Sequence, residues 1–196
     1  MSEEVAPVEL WVIVVAAIVV IAVVAVAVYA WNRNRRTQEL SGRFGPEYRR
    51  ALDETGDRAT AERELQAREQ RVQKMEIRSL PPEQRERYAE EWRTVQARFV
   101  EDPSGSISLA DRLVEEVMQA RGFDTDTDFD QRAADVSVHH AHTVSEYRQA
   151  HDVAERHAAE GVDTEALRQA MVHYRAVFDD LLETESRELA GAGARR

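Results

Sequence analysis

The chain contains no cysteine. That absence excludes disulfides, thiolate zinc sites, iron–sulfur clusters and cysteine nucleophiles. Proline and glycine are scarce, at five and eight in 196 residues, too few for the many turns of an all-β chain. Lysine is nearly missing: Lys74 stands alone, and arginine carries the rest of the positive charge. Recognition motifs are missing too. There is no Walker loop, no GxGxxG and no GxSxG elbow, so phosphate cradling and serine-nucleophile chemistry have no motif behind them. No residue is assigned a catalytic or cofactor-binding role, and no cofactor is expected.

What is present divides the chain sharply. Leu10 to Trp31 is a run of 22 residues without a charge, mostly Val, Ile and Ala. As a helix it rises about 33 Å, enough for a hydrocarbon core of about 30 Å. Val and Ile are middling helix formers in water. In lipid the backbone must satisfy its own hydrogen bonds, and helix follows. Trp11 stands at one end and Tyr29 and Trp31 at the other, where amphipathic rings favour the interface. The alternative is a buried core helix, which is rarely this long without a polar position.

The flanks set an orientation. Glu3, Glu4 and Glu9 precede the run, and Arg33, Arg35 and Arg36 follow it. The positive-inside rule keeps the arginine side in the cytoplasm, so the N-terminus is expected outside and the C-terminal part inside. The apolar run lacks the basic n-region and short core of a cleaved signal peptide, which favours an uncleaved anchor. An outward-facing or secreted domain is the alternative topology. No small-xxx-small pair occurs in the run, so no helix-dimerisation face is evident.

Charge is partitioned after the run. The whole chain carries −11, yet residues 32–100 hold 16 basic and 13 acidic side chains, whereas residues 101–196 hold 10 and 21. A basic stem suits anionic lipid. An acidic distal part repels nucleic acid, which is therefore not an expected partner.

Helical periodicity with capping signals organises the remainder. Pro46 opens a short helix to Leu52, stopped near Gly56. Asp57 caps a helix over 58–76 whose apolar stripe is thin: Ala61, Leu65, Val72 and Met75, with Arg68 in the gap. Pro82 starts a helix over 82–101, with Tyr88, Trp92, Val95 and Phe99 on one face. Asp102-Pro103-Ser104-Gly105 reads as its end, and Ser106 or Ser108 as the cap of a helix over 107–121 stopped by Gly122. A turn of helix is expected at 129–135, and Ser137 as the cap of a helix over 138–159. Asp163 or Thr164 opens a last helix over 164–188, inward at Leu167, Met171, Tyr174, Phe178 and Leu181.

Four constellations invite chemistry. His139 and His142 sit at i,i+3 with Asp135 upstream, nitrogen and oxygen donors of the kind a transition metal takes; the alternative is a polar first helical turn with exposed imidazoles. His151 and His173 fall on or beside apolar faces, with Asp179 and Asp180 within reach along the last helix; satisfied boundary histidines are the plainer reading. The stripe Tyr88, Trp92, Phe99 is read as packed core before a ligand pocket. The loop Asp124–Asp130 alternates acids like the start of a calcium loop, but its sixth and twelfth positions hold Phe129 and Asp135, where Gly and Glu are needed.

Several blocks carry a resemblance: Arg43-Phe44-Gly45-Pro46-Glu47-Tyr48, Gly56-Asp57-Arg58, Arg87-Tyr88-Ala89-Glu90-Glu91-Trp92, Val95-Gln96-Ala97-Arg98-Phe99-Val100, and Leu167 through Arg175. Over residues 42–183 the chain resembles an uncharacterised actinobacterial family of single-pass membrane-anchored proteins with a helical C-terminal domain. The resemblance implies architecture and a bacterial membrane address, and transfers no catalytic or binding residue.

The expectation is therefore an all-α chain. Residues 1–9 form a short tail, 10–31 a transmembrane helix, 32–45 a basic juxtamembrane linker, 46–189 a cytoplasmic bundle with four well-patterned helices, and 190–196 a disordered tail. Its expected partners are the lipid bilayer, at Trp11, Tyr29, Trp31, Arg33, Arg35 and Arg36, and an unidentified protein. The thinly apolar 58–76 helix and the acidic bundle surface are the docking candidates. The expected role is a non-enzymatic interaction or scaffold module at the cytoplasmic membrane. A membrane-tethered metal-dependent enzyme or sensor using His139 and His142 is the alternative.

Overall fold

Eight helices follow one another among the described residues, and no strand occurs among them. The computed structural model describes residues 7–193, with side chains from residue 11 to 183. Two units result, Met1–Gly42 and Arg43–Arg196. The first helix, α1 (Pro7–Phe44), is 38 residues long. It includes most of the stretch expected as a linker. Two hydroxyls that would otherwise compete with the helix are turned back onto it: Thr37 Oγ1 donates to the carbonyl of Arg33 and Ser41 Oγ to that of Gln38. Arg35 and Glu39 add an i,i+4 ion pair. Gly42 alone does not stop the helix. The break comes at Gly45, whose φ of 49° is left-handed, with Pro46 next.

In the second unit the short helix α2 (Pro46–Thr55) ends where the Gly56 N–H meets the Leu52 carbonyl. Asp57 caps α3 (Arg58–Val72) by accepting from the Thr60 N–H at 2.8 Å. The Thr60 hydroxyl, which also donates to this carboxylate, and after it the Thr60 N–H hold the Asp57 carboxyl below its usual range. The thin stripe of α3 is not an open face. Ala61, Leu65 and Val72 are buried, and so is Arg68 in their gap. The helix packs on α2 and on α6 (Phe129–Val136).

The main apolar core is built largely by α4 (Pro82–Arg98), α5 (Pro103–Ala120), α7 (Val144–Glu160) and α8 (Thr164–Gly193). Trp92 stacks on Phe178 at 4.7 Å between ring centres. Val114, Val117, Met118, Tyr147 and Tyr174 are fully enclosed beside them. All five inward positions expected on the last helix are buried. Phe99 is half-buried against this core.

Two helix starts differ from expectation. Asp102-Pro103 does not end a helix but begins one: Asp102 Oδ1 accepts from the Gly105 N–H at 2.9 Å, and Pro103 takes the first helical position, where a missing N–H costs nothing. Ser137 does not cap α7. Its hydroxyl donates to the Ala134 carbonyl, closing α6, and residues 137–143 form successive turns before α7 starts at Val144. At the other end α8 continues to Gly193, into the region expected as tail. Residues 1–6 and 194–196 of the expected tails lie outside the described residues.

Candidate functional site

The most distinctive surface belongs to α1. Every side chain from Trp11 to Trp31 is exposed, including Val, Ile, Tyr and Trp. Water cannot hold so large an apolar surface cheaply. This is one helix long and apolar enough to cross a membrane, placed near the N-terminus, a pattern that a signal sequence shares. Trp11 lies at its start, and Tyr29 and Trp31 close its far end. Beyond them Arg33, Arg35 and Arg36 are all exposed. Arg35 Nε is 3.1 Å from Glu39 Oε1.

In the second unit, guanidinium groups from three helices meet carboxylates around a groove of about 460 Å³. Arg50 comes from α2, Arg68 and Arg71 from α3, and Arg148 from α7. Beneath them Glu47 is buried, bound by a two-pronged contact from Arg148 (3.2 and 3.4 Å) and by Arg68 Nη1 at 3.4 Å. Arg68 also pairs with Glu64, Arg148 with Asp130, and Arg71 with the buried Asp135. The groove is thus self-neutralised, its cations already matched by its own acids. It ties α2 and α3 to α6 and α7.

The histidine cluster is split by burial. His139 and His142 are exposed, whereas His140 is enclosed. Asp135, their expected oxygen partner, is 1% exposed and accepts from Arg71 and Gln131. Among the described residues no group of three His, Asp or Glu side chains is placed to hold a metal ion. In the acid-rich loop the Thr125 and Thr127 carbonyls accept from Arg132 Nη1. Asp128 caps α6 and Asp124 accepts from the Asp126 N–H. His173 meets Glu146 on α7, not Asp179 or Asp180 on its own helix. His151 lies flat on Phe129, rings 3.6 Å apart, beside Glu155.

No family model, curated protein or solved structure matches this chain.

Two buried polar networks have no counterpart in the sequence reading. In the first, Arg121 at the end of α5 donates Nη1 to the Leu181 carbonyl (2.9 Å) and to His140 Nε2 (3.0 Å). A guanidinium can only donate, so Nε2 accepts and the ring proton sits on Nδ1. From there it is given to Asp180 Oδ2 at 2.7 Å, which also accepts from Thr143 Oγ1. In the second, Arg132 donates Nε to the Tyr147 hydroxyl and pairs with Glu115, while the Tyr174 hydroxyl donates to Asp111. Burial pushes the Glu115 carboxyl up, and burial also raises both phenols. These groups span separations of 15 to 63 residues, which no local periodicity reveals.

The first network makes a prediction. His140→Ala removes one buried acceptor of Arg121 Nη1 and one donor to the part-buried Asp180, so it should cost about 2 kcal/mol. Urea unfolding should show a lower midpoint with an unchanged slope. Wild-type stability would remove His140 from any role in joining α5 to α8.

Proposed function

We propose that this chain is a single-pass bacterial membrane protein that holds a helical interaction module at the cytoplasmic face of the inner membrane. The observation that carries the reading is the uncharged run Leu10–Trp31 within one continuous helix, exposed along the length for which side chains are described. The bilayer is the solvent that such a surface fits. Arginines on one side only, facing three glutamates on the other, support an N-terminus outside and a domain inside. The second unit is read as a bundle centred on α4, α5, α7 and α8. Acids outnumber bases in residues 101–196, and on the described surface Asp152, Glu155, Glu160, Asp163, Glu165 and Glu183 are exposed. Charge complementarity makes a basic protein the fitting partner.

Protease added to intact spheroplasts tests the orientation. The domain should survive until the cells are lysed. Digestion of the domain in intact spheroplasts would reverse the topology. Crosslinking at native expression tests the interaction role, with a basic partner lost at high salt as the expected result.

A further inference from the structure

We propose that Arg33 and Arg36 form a binding site for the headgroup phosphate of anionic phospholipid, and that Arg35 does not belong to it. The inference rests on the reading that α1 spans a bilayer. Because the helix continues unbroken past Trp31, the positions of these side chains are fixed by helical geometry. Arg33 and Arg36 are i,i+3, and Tyr29 lies four residues before Arg33, so all three share one face. Arg35 points away from it. With a rise of 1.5 Å per residue, Arg33 stands about 3 Å and Arg36 about 7.5 Å beyond Trp31. The interfacial layer outside the hydrocarbon core is about 5–7.5 Å deep on each side, and helical side chains lean back toward the N-terminus, here toward the core. Both guanidiniums therefore lie at headgroup depth when the aromatic rings sit at the boundary.

Their chemistry suits the ligand. Both are exposed, and among the described side chains no ion pair engages either one. Arg35, by contrast, is held by Glu39, the only acid between Asn32 and Gly42. A free guanidinium presents a planar fork that matches two phosphate oxygens. Two forks one helical turn apart can share a headgroup or hold neighbouring ones. Each cationic side chain at an anionic surface contributes about fivefold to lipid selectivity.

The test uses the full chain reconstituted in phosphatidylcholine vesicles containing spin-labelled phosphatidylglycerol or spin-labelled phosphatidylcholine. The motionally restricted fraction reports the lipid next to the helix. The expected result is an enrichment of phosphatidylglycerol of up to about 25-fold, the product of the two contributions, abolished in R33Q/R36Q and retained in R35Q. Resistance of each variant to alkaline extraction is measured in parallel. Equal fractions of the two lipids around an extraction-resistant wild type would overturn the site and leave the anchor reading intact. Loss of selectivity in R35Q equal to that in R33Q/R36Q would overturn the assignment of residues. Competition by inorganic phosphate at fixed ionic strength would place the site among solution-anion sites and overturn its assignment to lipid. A wild type that washes off the vesicles would overturn the anchor reading and this inference with it.

Discussion

Replacing Glu47 with alanine should destabilise the helical domain by about 3–5 kcal/mol, a large share of the roughly 5–15 kcal/mol that keeps a domain folded. The size follows from what is left behind. The Glu47 side chain is 3% exposed, and its partners Arg68 and Arg148 are 7% and 12% exposed. Arg148 grips both carboxylate oxygens, and Arg68 adds a third contact. Without Glu47 two nearly buried cations face each other with only their outer partners, Glu64 and Asp130. The exposed Asp130 is screened by water and contributes little. Glu47→Gln keeps the shape and one acceptor oxygen, so its loss should be smaller. Urea unfolding of the full chain in micelles, followed by near-ultraviolet circular dichroism, separates the three proteins. A change below about 1 kcal/mol for Glu47→Ala would mean that the two arginines find solvent and that the groove does not hold α2 and α3 to α7.

Gly122→Ala should cost about 3 kcal/mol, the sum of backbone strain and overpacking. Gly122 has a φ of 96°, which an L side chain rarely adopts, and an added Cβ would stand 2.4 Å from the Glu76 carbonyl oxygen. That neighbour is backbone and cannot swing aside. The segment it belongs to is pinned to the end of α5: the Arg78 N–H donates to the Arg121 carbonyl at 2.8 Å, and Arg121 Nε returns to the Arg78 carbonyl. Gly56 provides the contrast. It too has positive φ, 65°, but nothing lies within 4 Å of an added Cβ, so Gly56→Ala should cost only about 1 kcal/mol. Thermal or urea unfolding of the pair checks the difference. Equal losses would show that the close approach to Glu76 relaxes freely.

Most of the helical order was legible because it rests on local signals. Pro46, Asp57, Pro82 and Asp163 start helices where their side chains say they should, and Gly56, Gly122 and Gly161 sit at turns with positive φ. The stripe of α8 and the run of α1 are strong periodic or compositional patterns, and both are helical. The misreadings arise where one residue type has two uses. Asp-Pro suits the end of one helix and the start of the next. Ser137 can cap forward or bond backward, and here its hydroxyl bonds backward to Ala134. The chain turns through 137–143 before α7 begins, and within that stretch the His140 ring meets Arg121 and Asp180, 19 and 40 residues away. Arg68 looked like a flaw in an apolar stripe and is instead the partner of a buried glutamate 21 residues upstream. Such pairs are set by tertiary packing and leave no spacing to read.

The most direct test of the central claim, that α1 holds this protein in a bilayer, is the intact mass of the protein recovered from alkaline-washed membranes of expressing cells. The expected result is a membrane-pellet species whose mass includes the peptide Trp11–Trp31. A shortened species without that peptide, recovered in the soluble fraction, would contradict it.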